Sequence, residues 1–335
     1  MPLKTPSWWH RKKGVVASAL TPLAALYGTI AAKAMTKGDA YRAKRPVICI
    51  GNFTSGGGGK TPTAIAIANL LKAAGKSPAF LTRGYGGSAK GPLQVEDQDA
   101  DEVGDEPLLL AKVAPTFVSA DRVAGAKAIE ETDADIIVMD DGFQNPSLAK
   151  DFSLIVVDAA SGLGNGLVMP AGPLRAPLDA QIARADGLLV IGDGKKAASL
   201  IKMFEGAGKP VLKAKIEPNC DPRWLSVMPV IGFAGIARPA KFFATLKSNG
   251  AGLRASHAFP DHHRFTERQA RDLLKEADAQ KAMLVTTEKD WARLSDEDEE
   301  SAVAELKQRS APFPIVIKFE DEASLQELLS AATKR

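Results

Sequence analysis

From Pro46 onward, short runs of consecutive apolar residues alternate with longer stretches in which apolar positions recur every three or four residues. An apolar run bounded by turn residues reads as a strand buried on both faces, and the 3.6-residue period reads as a helix with one face in a core. Runs of the first kind are Val47–Ile50, Pro78–Leu81, Thr116–Val118, Ile136–Met139, Phe152–Val157 and Gly187–Ile191. Strands separated by helices in this way predict an α/β fold with a doubly wound, mostly parallel sheet. The pattern changes near Ile216, where Pro218, Asn219, Asp221 and Pro222 make a linker-like break. Beyond it, Val230–Phe233, Met283–Thr286 and Phe313–Lys318 with a helix from Pro239 to Asn249 predict a second, smaller α/β domain. The expected units are therefore 45–215 and 216–335, and no internal repeat is present.

Residues 1–44 follow a different pattern. Lys4, Arg11, Lys12, Lys13, Lys33, Lys37, Arg42 and Lys44 face a single acid, Asp39. Between these cations Val16, Leu20, Leu23, Tyr27, Ile30 and Ala34 recur at helical spacing, with Trp8 and Trp9 just ahead. A spanning helix is disfavoured because Ser18, Thr21, Pro22, Gly28 and Thr29 interrupt a run of marginal length. An amphipathic helix at an anionic membrane surface fits this combination best, and a helix packed on the protein's own core is the alternative.

The strongest chemical signal follows the first strand. Gly51-Asn52-Phe53 leads into Thr54-Ser55-Gly56-Gly57-Gly58-Gly59-Lys60-Thr61, and an Ala/Ile/Leu-rich helix begins there. Glycines let backbone N–H groups turn toward a phosphate chain, and the helix adds its positive N-terminal end. This order is that of a P-loop, although the strict motif has glycine where Thr54 stands. It assigns Lys60 to the β- and γ-phosphates of ATP and Thr61 to Mg²⁺. The fold class sharpens accordingly to P-loop-NTPase-like.

A second signal is Asp135-Ile136-Ile137-Val138-Met139-Asp140-Asp141-Gly142-Phe143-Gln144. An apolar strand ending in acids is the Walker B pattern, which brings a carboxylate beside the P-loop threonine and its metal. Several weaker candidates accompany it. Thr82-Arg83-Gly84-Tyr85-Gly86 follows a strand, where ligand crevices form. Gly104-Asp105-Glu106-Pro107 opens a helix, and its acids serve either the helix dipole or a site. Pro170-Ala171-Gly172-Pro173-Leu174-Arg175 is an irregular loop whose arginine suits an anion or solvent. Phe259-Pro260-Asp261-His262-His263 is a base site or a polar turn. Asp296–Glu300 reads as a solvated face.

Composition narrows the class. The chain has 335 residues, a net charge of +3 and two cysteines, Cys49 and Cys220. That charge gives no footprint for nucleic acid, and two separated cysteines offer neither a disulfide framework nor zinc-type spacing.

Taken together and in order, these motifs resemble the tetraacyldisaccharide 4'-kinases, the lipid A kinases of the Gram-negative inner membrane. The resemblance extends over nearly the whole chain and includes Thr286-Thr287-Glu288-Lys289-Asp290; Ala176 stands where many members carry an acid. It implies transfer of the ATP γ-phosphoryl group to the 4'-hydroxyl of a tetraacyldisaccharide 1-phosphate, giving lipid IVA. It further implies Asp105 and His262 as a catalytic pair with Lys60. Thr61, Asp140, Asp141 and Glu106 are then expected to serve Mg²⁺, and Arg83, Tyr85, Arg122 and Arg175 the lipid substrate. Location on the cytoplasmic face of the inner membrane, peripheral or monotopic, without an obligate protein partner, is also expected. The competing reading is a membrane-associated P-loop switch or binding module. Against it, the base-reading Asn/Thr-Lys-x-Asp motif is absent, because Lys289 and Asp290 are adjacent.

Overall fold

The structure is a computed structural model that describes residues 6–11, 13–36, 38–294 and 300–334. Lys4, Lys12, Lys37 and the 296–299 part of the acidic run lie outside the described residues.

Thirteen strands are found among these residues: β1 (Val47–Gly51), β2 (Pro78–Thr82), β3 (Leu93–Gln94), β4 (Thr116–Val118), β5 (Ile136–Asp140), β6 (Phe152–Asp158), β7 (Gly187–Ile191), β8 (Val211–Pro218), β9 (Val230–Ala234), β10 (Leu253–Ala258), β11 (Met283–Thr287), β12 (Ser310–Phe313) and β13 (Ile315–Phe319). Nine form one sheet in the order β13-β8-β7-β6-β1-β5-β2-β4-β3, and the other four form a second in the order β10-β9-β11-β12. Within the large sheet the seven inner strands run parallel, and only the edge strands β13 and β3 pair antiparallel. The small sheet is parallel throughout.

Alternate residues of the inner strands supply opposite faces of the large sheet, as the pleat requires. Val47, Cys49, Leu81, Ile137 and Met139 belong to one apolar layer, and Ile48, Ile50, Phe80, Ile136 and Val138 to the other. Both faces are covered, which is why these strands read as unbroken apolar runs. β1 lies between β5 and β6, with β2 to β5 all on one side of it and β6 to β8 on the other, so the strand order reverses at β1. The crevice beyond the carboxyl ends of these strands is the position where such sheets bind ligands.

Two features differ from the sequence expectation. The 216 boundary falls inside β8, and the smaller unit ends before β13. Ile315 to Phe319 pair with Pro218 to Ala214, and Ile317, Leu325 and Leu329 join the large sheet's core. The small unit, 222–313, is thus an insertion between two adjacent strands of the large sheet. An apolar run adjoining a domain-like pattern carries no mark of which sheet it will join.

The second difference lies in the N-terminal segment. A helix over Thr21–Met35 forms as expected, with Pro22 in its first turn. Its inward face is Ala24, Gly28 and, in the last turn, Met35, and a Cβ added at Gly28 would lie 3.4 Å from Pro177 and 3.6 Å from Val168. Leu23, Leu26 and Ile30 point outward, 54%, 61% and 60% exposed. Trp9, expected as a membrane anchor, is instead buried, its indole N–H donating to Pro170 O at 3.0 Å. Among the described residues no helix is long and apolar enough to cross a membrane.

Candidate active site

The P-loop follows β1 directly. Gly59 precedes the helix Lys60–Ala73 with φ +87°, and a Cβ on it would come within 2.8 Å of Ile191. Only glycine fits there. The loop is braced from outside: Ser55 N donates to Pro173 O at 2.8 Å, and Arg175 N to Phe53 O at 2.9 Å. Thr54 forms an isolated antiparallel bridge with Leu174. The irregular Pro170–Arg175 loop is therefore a strut for the phosphate loop, and Trp9 holds its other end. Gly57 packs against Ala237 of the smaller unit, and Gly58 lies by Asn52 and Val156. Gly56 has φ +101°, and its carbonyl accepts from Asn52 Nδ2 at 3.3 Å.

β5 ends beside this loop. Thr61 Oγ1 donates to Asp140 Oδ2 at 2.9 Å, and Lys60 Nζ lies 3.6 Å from Asp141 Oδ2. Arg175 grips Asp141 bidentately at 2.7 and 3.0 Å and also donates to Gln144 Oε1. Burial alone would raise the Asp141 carboxyl, but the charges of Lys60 and Arg175 outweigh it and hold it well below the usual range. Asp140 is the opposite case. Burial, with the Glu106 charge added, pushes it up to about 7 despite Lys60. Its Oδ1 is buried and has no hydrogen-bond partner.

The helix Asp105–Ala111 carries the next two acids and faces the helix Glu288–Arg293 of the smaller unit. His262 Nδ1 lies 3.1 Å from Asp105 Oδ1, and Arg293 donates to Asp105 Oδ2 at 2.9 Å. Lys289 pairs with Glu106. Burial would raise Asp105; the His262 hydrogen bond and the Lys289 and Arg293 charges together force it well below the usual carboxylate range. The same hydrogen bond raises His262, against the opposing effect of its own burial. Tyr85, 59% exposed, sets its ring 5.1 Å from that of His262.

Four acids thus converge on the end of the P-loop, and three have cations: Asp105 with Arg293, Glu106 with Lys289, Asp141 with Arg175 and Lys60. Asp140 has a hydroxyl and an unpartnered oxygen, the condition a hard cation would relieve. Among the described residues no three His, Cys, Asp or Glu side chains form a ready-made metal cage. Mg²⁺ seldom needs one, since waters and phosphate oxygens complete its shell.

The expected substrate residues divide. Arg122 is 4% exposed, donates to Ser119 O and leaves its Nε without a partner. Its ionisation is pushed down by burial and by nearby Arg83. Arg83 is exposed at the rim. Arg175 faces Asp141 instead of open space.

A family model described as Tetraacyldisaccharide-1-P 4'-kinase matches residues 16–334. The chain belongs to this family. The tetraacyldisaccharide 4'-kinase of Methylobacterium sp. is 49% identical over 327 residues, covering 97% of this chain and 96% of that one. That of Nitrobacter winogradskyi is 43% identical over 330 residues, covering 98% and 97%. The solved structure of LpxK from Aquifex aeolicus in complex with ATP superposes with a TM-score of 0.74 at 28% identity, covering 96% of this chain and all of that one.

In this family member, sequence reasoning missed Arg293, the buried Gln181 that accepts from Gln144 at 3.0 Å, and a second contact between the units. That contact joins Asp158, at the end of β6, to Lys241 and to Arg238 at 3.3 Å. The only available hint was spacing: Arg293 stands four residues after Lys289, on the same helix face.

Proposed function

We propose that this chain uses ATP and Mg²⁺ to phosphorylate the 4'-hydroxyl of a tetraacyldisaccharide 1-phosphate at a membrane surface, with Asp105 as the group that accepts the hydroxyl proton. The observation that carries the reading is the meeting of Asp105 and His262 across the two units, beside the glycine loop that ends in Lys60 and Thr61. A switch or binding module has no use for a buried carboxylate–imidazole pair at that position.

The chemistry follows the usual demands of phosphoryl transfer. As the acceptor oxygen bonds the γ-phosphorus, its proton passes to Asp105 Oδ1. The bond from the γ-phosphorus to the bridging oxygen breaks, and ADP leaves. His262 orients the carboxylate and holds charge near it. Lys60, with the backbone N–H groups of Gly56 to Gly59, steadies the β- and γ-phosphates, while Thr54 and Ser55 fix the start of the loop. Thr61 and Asp140 would hold Mg²⁺, Glu106 would support it, and the ion would neutralise charge on the transferring group. Asp141 anchors Lys60 and Arg175. The buried, incompletely paired Arg122, with Arg83 and Tyr85 at the rim, suits the substrate's phosphate and sugar.

The larger unit, 45–218 with 315–333, carries the nucleotide site, and the inserted unit closes over it. The exposed Leu23, Leu26 and Ile30 favour docking on the cytoplasmic face of the inner membrane, so that acyl chains need not leave the bilayer. The deciding experiment incubates purified protein with γ-labelled ATP, Mg²⁺ and tetraacyldisaccharide 1-phosphate and resolves lipids by thin-layer chromatography. Label transferred to the lipid is the expected result; ATP turnover with no labelled lipid would overturn the reading.

A further inference from the structure

Both groups that grip the Asp105 carboxylate come from the smaller unit, and they are tied to each other. Arg293 is 6% exposed at its side chain and reaches Asp105 with one amino group. Its other amino group donates to Asp290 Oδ1 at 2.9 Å and to Gly235 O at 3.0 Å. Asp290 is fully buried; it also accepts from Gly235 N at 2.9 Å and from Thr287 Oγ1 at 2.6 Å. The same Gly235 carbonyl accepts from His262 N at 3.1 Å. The node is close-packed: a Cβ at Gly235 would lie 2.9 Å from His263 Cβ and 3.0 Å from Asp290 Oδ1. His262 holds φ +55° there, a conformation few non-glycine residues adopt.

A carboxylate turns freely about its last torsion unless both oxygens are engaged. Here each oxygen has its own partner, His262 for Oδ1 and Arg293 for Oδ2, and both partners donate to the Gly235 carbonyl. We infer that Arg293 is a positioning residue for phosphoryl transfer: by holding Oδ2 it leaves Oδ1, beside His262, as the oxygen presented to the acceptor hydroxyl. Asp290 and Gly235 fix Arg293 in turn. Arginine suits the role because its planar fork spans Asp105 and Asp290 together, which a lysine ammonium does less well. The inference rests on Asp105 being the proton acceptor.

The test uses the full chain in steady-state assays with ATP and tetraacyldisaccharide 1-phosphate. The variants are Arg293→Met, Arg293→Lys, Asp105→Asn and Arg293→Met combined with Asp105→Asn, each checked by thermal melting. Arg293→Met is expected to lower kcat about 10- to 100-fold, the scale of a misoriented reacting group, with KM for ATP nearly unchanged. Arg293→Lys recovers part of that loss. In the Asp105→Asn background, Arg293→Met costs nothing further, because it acts through Asp105. Losses that multiply in the double variant, or a normal kcat for Arg293→Met beside an inactive Asp105→Asn, overturn the inference. Near-normal activity of Asp105→Asn overturns the underlying reading of Asp105 instead. If Arg293→Met does not fold, Asp290→Asn, which keeps the arginine but frees it, must show a smaller kcat loss that also vanishes in the Asp105→Asn background; unchanged kcat in Asp290→Asn then rejects the role.

Discussion

His262 Nδ1 stands 3.1 Å from Asp105 Oδ1 although 157 positions separate them, one on each unit. The contact exists only while the inserted unit lies against the helix Asp105–Ala111, so the proposed proton-accepting pair is assembled only when the two units are docked.

If the two residues act as a unit, single substitutions to alanine should each slow turnover, by about 10²- to 10⁴-fold for a lost general base. The double variant should be scarcely slower than the worse single one. Steady-state rates on the four proteins decide this, and multiplied losses would mean separate roles.

Lys60→Ala should lower kcat by orders of magnitude and leave the melting temperature almost unchanged. Asp141 keeps its bidentate partner Arg175 when Lys60 is gone, so no buried charge is stranded. Activity near wild type would remove Lys60 from the nucleotide site.

Asp140 gives a pH-dependent signature. Its carboxyl ionises near 4 when unfolded and at about 7 in the fold. Between those values the folded state keeps a proton that the unfolded state has released, so stability falls as pH rises through the interval and levels off above it. Without divalent metal, Asp140→Asn should therefore raise the melting temperature at pH 8 by a few degrees and change it little at pH 4. Calorimetry at both values checks this, and a lower melting temperature for the variant at pH 8 would contradict it.

Replacing Leu23, Leu26 and Ile30 together by serine should weaken flotation with anionic vesicles and raise the KM for lipid, with ATP binding preserved. These side chains are exposed, so the fold loses little. Point changes are the better instrument than truncation, because Ala24, Gly28 and Trp9 are built into the protein. Vesicle binding equal to wild type would make this face irrelevant to docking.

The parallel sheet, the P-loop and the strand ending in Asp140 were legible because each rests on local pattern: an apolar run, a glycine stretch, a residue at a strand's end. The Asp105–His262 pair was legible only through resemblance, since neither residue carries a local sign of its partner. Arg293 had only its spacing from Lys289 as a sign, because its role depends on how two distant helices dock. Trp9 was misplaced for a related reason: an indole beside cations looks the same in sequence whether it meets lipid or the carbonyl of Pro170. The helical period in Val16–Ala34 was legible, but the stripe turned inward is Ala24, Gly28 and Met35, and at Gly28 the approach of Pro177 and Val168 leaves no room for a large side chain.

The late return of β13 to the large sheet bears on how the chain is made. During synthesis β8 emerges about a hundred residues before its antiparallel partner, and until then its outer edge offers unpaired amides and carbonyls. The inserted unit must emerge, and its two covalent crossings must lie side by side, before that edge can be covered. The nascent chain is thus exposed to edge-to-edge association for longer than a kinase whose sheet is finished before its second unit begins. A truncation stopping after β12 would keep every residue of the phosphate loop and of the Asp105–His262 pair, yet expose that edge permanently.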